Sequence, residues 1–267
     1  MKGGSINMYM ENLYSDDMDF EILARENALE IDIIQHAIME DFNIYTETCM
    51  FESAESEDKS DGILTKIVDN MKKAIKKIIE FVQGIFTSMK MGVGDQLSVS
   101  DYMKSDTAKI RLTNYALAIQ KELEDEILEG RKLVKAISSK AGFDPHIVAS
   151  FVDKAQNFVM DQGTTILSTG AAVVLANKIS NSILNGNKLL KKNQELAEQI
   201  EAEKKKQSDI KTDKLKNDGH SKLAALNSLN NVISSTMRKA TGVWSSLNRE
   251  LDKYKVTKND REKRKRR

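Results

Sequence analysis

Ten residues between Leu223 and Tyr254 step along the chain by three and four without exception: Leu223, Leu226, Asn230, Ile233, Met237, Ala240, Trp244, Leu247, Leu251 and Tyr254. Only a helix puts such positions on one face. Sustained over more than four heptads, the stripe predicts a helix packed along its whole length on a partner helix. That partner is either the chain's own 188–218 segment, where Leu189, Leu196, Ile200 and Ile210 fall roughly on a heptad, or a second copy. The sequence leaves both open. Asn230 falls on the seam, where one polar residue can fix register at some cost in stability.

The rest of the chain offers few ways to be anything but helical. It has one proline in 267 residues and 6% aromatic residues, and it nearly lacks β-branched alternation, so helices meet few breaks and strands have little to work with. The expected fold is all-α, an elongated helical bundle with a C-terminal coiled-coil-like arm. Four regions follow from the punctuation. Residues 1–61 hold an acidic amphipathic helix (16–48) and a polar linker running from Glu52 to Gly62, residues 62–185 a helical core, residues 186–257 a charged helical arm, and residues 258–267 a disordered basic tail.

Within the core, residues 63–90 show clean 3-and-4 spacing, with Gly92 and Gly94 breaking the helix. A long helix is expected from Asp101 to about Lys140. Asp144-Pro145 restarts the chain as cap and first helical residue, in a helix expected to end near Gln162-Gly163. An Ala/Val/Leu-rich helix from about Thr165 to Leu184 is then closed by Asn185-Gly186-Asn187. Gln162 to Asn177 is uncharged but only sixteen residues long, whereas a bilayer span takes ~20 mostly apolar residues, so a buried helix is expected. The N-terminus lacks the apolar run of a signal peptide.

Charge is divided unevenly. Residues 1–61 carry sixteen acids and three bases, and residues 186–267 carry eleven acids and twenty-two bases, although the whole chain sums to +1. Such asymmetry points to a polyanion, a membrane surface or the chain's own other end as partner. Two basic features stand out. Lys263, Arg264, Lys265, Arg266 and Arg267 form an uninterrupted run suited to phosphate backbones through counterion release, without sequence preference. Lys66, Lys72, Lys73, Lys76 and Lys77 line one side of the 63–90 helix opposite its Ile/Phe side, a pattern shared by bundle helices, membrane-surface helices and partner-groove helices. The acidic N-terminal helix is a candidate mask for that basic helix.

No reaction chemistry emerges. Cys49 is the only cysteine, so no intramolecular disulfide is expected, and His36, His146 and His220 are scattered without metal-ligand spacing. The carboxylate run Glu122, Glu124, Asp125, Glu126 and Glu129 reads as a solvated face rather than a calcium loop. Gly92-Val-Gly94 has Leu97 where a dinucleotide loop has its third glycine. The chain reads as a non-enzyme with no cofactor and no small-molecule substrate; an enzyme whose site is assembled from dispersed residues is the weaker alternative.

The layout of residues 10–90 resembles structural or internal virion proteins of large tailed bacteriophages. The resemblance rests on an acidic helix, then Met50-Phe51-Glu52-Ser53-Ala54-Glu55-Ser56-Glu57, then an Ile/Lys-rich helix. It implies a propeptide removed near residues 52–57, after Glu52 or Glu55, because maturation proteases of such particles cut after glutamate. An intact N-terminus on the functional protein would exclude that step. The expectation is therefore a phage virion protein, in the particle or the host cytoplasm. Its partners would be nucleic acid bound non-specifically and other virion proteins or itself through 223–254. The alternative is a membrane-active protein using helix 63–90 and an apolar helix at 164–185.

Overall fold

A computed structural model of the chain describes residues 57–102, 109–139, 143–156, 163–207 and 213–256. Five helices carry these residues: α1 (Glu57–Ser88), α2 (Asn114–Ser138), α3 (His146–Gln156), α4 (Thr169–Gln207) and α5 (Asp213–Asp252). One antiparallel pair of short strands, β1 (Lys109–Thr113) and β2 (Thr164–Ser168), is the only sheet among the described residues. The fold is all-α.

The two longest helices, α4 and α5, run antiparallel. Asn193 lies beside Asn230, and seven residues back along α4, Gly186 faces Met237, seven residues further along α5. A Cβ on Gly186 would meet the Met237 sulfur at 2.5 Å, so a side chain here would push the helices apart. Gly130 of α2 works the same way: its missing Cβ would sit 3.1 to 3.3 Å from Leu189, Ile233 and Leu229. At both glycines, side chains of neighbouring helices occupy the space that a Cβ would take. α1 lies antiparallel to α4, with Thr65 donating to Glu201 at 2.8 Å and Lys72 paired with Glu198 at 3.3 Å. Its far end meets α5, where the Phe86 and Trp244 rings stack at 3.7 Å and 11°.

Every seam residue from Leu223 to Leu251 is buried, and Tyr254 is partly so. They are covered by this chain's own α1, α2 and α4, so no second copy is needed to bury them. The expected arm is absorbed into the bundle. Ser234, Thr236, Thr241 and Asn248, off the stripe, are buried too, because α5 has neighbours on several sides rather than one.

Four expected boundaries differ from the structure. The helix end at Asn185-Gly186-Asn187, and with it the 185/186 boundary, does not exist: α4 runs straight through. Those residues read as a turn, but Gly186 serves close packing and Asn187 is buried. The helix expected from Asp101 begins only at Asn114. Before it, Ile110 and Leu112 are buried with Arg111 exposed between them, a period of two that pairs Ile110 with Leu167 and Leu112 with Thr165. Correspondingly, α4 starts at Thr169, where the Ser168 hydroxyl accepts from the Ala171 N–H at 3.3 Å. The linker expected through Gly62 is helical from Glu57; acids at a helix start suit its dipole.

α1 does stop before Gly92, but Lys90 ends it. Lys90 takes φ +58°, with Met91 N–H donating to Phe86 O at 3.0 Å and Lys90 N–H to Thr87 O at 2.9 Å, the paired bonds of a Schellman closure. Asp144 caps α3 as expected, accepting from the His146 N–H at 3.0 Å.

Candidate nucleic-acid interface

Seven of α1's apolar residues, Leu64, Val68, Met71, Ile75, Ile78, Val82 and Phe86, are buried in the core. That settles which way its lysines face. Lys66, Lys73, Lys76 and Lys77 are exposed and Lys72 is half-buried. The apolar side needed to enter a bilayer is already committed to the bundle. No helix among the described residues is long and apolar enough to cross a membrane, α4 included.

The α1 lysines do not stand alone. Because α1 and α4 run antiparallel, Lys191 of α4 faces Lys72, Lys73 and Lys76 across a groove of about 450 Å³. Its base is Ile75 and Ile79, and Gln83 and Gln194 lie along its walls. The acids around it neutralise only part of the charge. Lys72 pairs with Glu198 at 3.3 Å and Asp69 at 4.0 Å, and Lys76 pairs with Glu80 at 3.8 Å. Hydrogen bonds from Gln194 and Lys72 hold the Glu198 carboxyl below the usual carboxylate range. No described acid lies within ion-pair distance of Lys73, Lys77 or Lys191.

A second basic element begins where the described chain ends. Val256 N–H donates to Asp101 O at 2.8 Å, and Lys255 pairs with Tyr102 in an isolated antiparallel bridge. Tyr102 is buried, and burial together with Asp252 and Asp101 pushes its hydroxyl up to about 12, so it stays neutral at the base of the tail. The run Lys263 to Arg267, and the candidate cleavage residues Glu52 and Glu55, lie outside the described residues, as does the acidic helix at 16–48.

Glu126 departs from its expected role. Four of the five carboxylates of the 122–129 run are exposed or half-exposed, but Glu126 is only 4% exposed and points between α2 and α5. Its Oε1 lies 2.8 Å from the Thr236 hydroxyl, which lies 3.3 Å from Val232 O. The Thr236 hydroxyl donates to Oε1. Oε2 has no partner, which would be costly for a charged group. Burial pushes this carboxyl up to about 8, with Glu122 adding to the rise and Thr236 and Lys239 opposing it. The signal was present in sequence: Ile119, Leu123, Glu126, Gly130, Leu133 and Ile137 step by four and three, and five of the six are apolar or glycine. Lys191 had no such signal, because only the tertiary pairing of α1 with α4 brings it to the groove.

His146 is exposed at the start of α3, and no group of three His, Cys, Asp or Glu among the described residues could hold a metal ion. No protein-family model, characterised protein or solved structure matches the chain.

Proposed function

We propose that this chain is a non-enzymatic structural or internal protein of a tailed-phage particle, working in the virion and the host cytoplasm. On this reading it is processed near residues 52–57 and contacts nucleic acid without sequence preference through Lys263, Arg264, Lys265, Arg266 and Arg267. The observation that carries it is the fastening of the chain just before the basic run. The Val256–Asp101 hydrogen bond and the Tyr102–Lys255 bridge tie residues 255–256 to the helical body. Five consecutive bases begin seven residues after that fixed point in the sequence, a spacing that suits a phosphate-binding arm. Binding through such an arm is electrostatic and driven by counterion release.

The test is retardation of duplex DNA of random sequence by the full chain and by a chain lacking residues 258–267, across a salt series. Each phosphate contact contributes about −0.9 to the slope of log affinity against log salt. Deletion is expected to flatten the slope by about 4 and to leave the thermal midpoint unchanged. An unchanged slope would refute the tail's role.

A further inference from the structure

We infer that the groove between α1 and α4, built from Lys72, Lys73, Lys76 and Lys191, is a second and tail-independent site for the phosphate backbone of nucleic acid. The inference rests on the reading above only in taking nucleic acid as the partner; the residues, the helices and the geometry are different.

Three observations point to this occupant. First, the groove gathers lysines from helices more than a hundred residues apart in sequence, and two of its four, Lys73 and Lys191, have no described acid within ion-pair distance. Second, α1 places lysines four apart twice, Lys72 with Lys76 and Lys73 with Lys77. Like charges at that spacing repel and weaken a helix, and a bound polyanion would relieve the repulsion. Third, the groove lining follows the helix axis from Lys72 to Gln83, about 16 Å at 1.5 Å per residue. That extent suits a polymer backbone rather than a single phosphate group.

Lysine is the fitting residue here, because it meets phosphates as a mobile point charge without demanding one geometry. No aromatic side chain lines the groove for base stacking, so binding should be indifferent to sequence. A lipid surface fits less well, because the apolar side chains of α1 are buried and the lysines sit in a concavity.

The test uses the full chain in three forms: wild type, the groove variant K72Q/K73Q/K76Q/K191Q, and a tail variant with residues 263–267 changed to glutamine. Each is titrated with a random-sequence duplex of about 30 base pairs over a salt series, and with vesicles containing phosphatidylserine. The groove variant is expected to flatten the salt slope by about 3, to lower duplex affinity at low salt at least tenfold, and to melt no earlier than wild type. A Lys→Arg version of the same four positions should restore binding, showing that charge is what the site supplies. If the groove variant matches wild type on duplex, the inference is overturned whatever the tail variant does. If only the groove variant loses binding, the groove stands and the tail reading falls; if neither does, both fall. A groove variant that loses vesicle binding while keeping duplex binding would make lipid the occupant and overturn the inference.

Discussion

The contact of α1 with the bundle and the interior formed by α2, α4 and α5 are built on different principles. All seven fully buried residues of α1 are apolar, from Leu64 to Phe86. The interior of the other three helices includes Gln120, Glu126, Asn187, Asn193, Asn230, Thr236 and Thr241, every one buried. The first interface relies on large side chains and ends in the Phe86–Trp244 stack. The second relies on side chains seated against Gly130 and Gly186 and on polar groups that must find one another. Burial of apolar area is strong but indifferent to small shifts; buried hydrogen bonds add little net stability but penalise a wrong partner. The seam of α1 therefore holds, while the interior of the other three specifies.

The largest expected effect lies at the point where the two regions meet. Trp244 is fully buried on α5 and its ring covers Phe86 of α1. Trp244→Ala should cost about 3–5 kcal/mol, the usual range for losing a buried aromatic ring. Phe86→Ala should cost a comparable amount, and the double variant should cost clearly less than the sum because both changes open one shared cavity. Denaturant midpoints measure all three. Additive losses would show that the stack is not what couples α1 to α5, and the contrast drawn above would weaken. Native-state hydrogen exchange sharpens the same comparison: in Phe86→Ala, amides of α1 should lose protection before those of α4 and α5.

Next in size is the buried carboxyl. Glu126 keeps its proton in the folded chain to about pH 8, whereas an unfolded glutamate loses it near pH 4.3. Between those values the unfolded state sheds a proton that the folded state retains, so stability falls as pH rises through that window and levels off above it. A tenfold difference in proton affinity is about 1.4 kcal/mol, so the loss by pH 8 amounts to several kcal/mol. Glu126→Gln keeps an acceptor oxygen for Thr236 and removes the titration. The variant should match wild type near pH 4 and exceed it at pH 8, read as the difference between the two unfolding curves. Parallel curves across that range would mean that Glu126 is ionised in the fold.

The same division explains what could be read from the sequence. The α1 seam and the α5 stripe were legible because their buried residues are apolar and evenly spaced, so period alone assigned helix and face. The polar interior was misread wherever a residue's chemistry pointed outward while its position pointed inward. Asn185-Gly186-Asn187 has the composition of a turn, yet Gly186 is where Met237 packs. Glu126 sits in a carboxylate run, yet it keeps the spacing of Leu123 and Leu133. The β1–β2 pair was missed for another reason. Five residues are too short for period two to stand out, and each strand gains its meaning only from a partner about fifty residues away. Of the candidate interface, the lysines of α1 were legible as one exposed face, but Lys191 depended on a helix pairing that no local pattern records.

The smallest effect tests whether the polar interior specifies rather than stabilises. Asn193 Nδ2 donates to Asn230 Oδ1 at 2.6 Å, while Asn193 Oδ1 and Asn230 Nδ2 have no partner. The pair is thus half satisfied, and both residues are buried. Replacing one partner leaves the other with no hydrogen bond, so Asn193→Leu or Asn230→Leu should cost about 1–3 kcal/mol. Replacing both with leucine, which has a similar volume, removes every unpaired polar atom at this level of the bundle. That double variant should lie within about 1 kcal/mol of wild type, giving a large favourable coupling in a double-mutant cycle. What it should lose is register: a longitudinal slip of α4 against α5 would no longer strand a buried amide. Such a slip would show as broadened or doubled resonances around Gly186 and Met237, where the close approach tolerates no displacement. A double variant as unstable as the sum of its singles would instead make the asparagine pair a net source of stability, and the contrast between a holding seam and a specifying interior would fail at its most direct test.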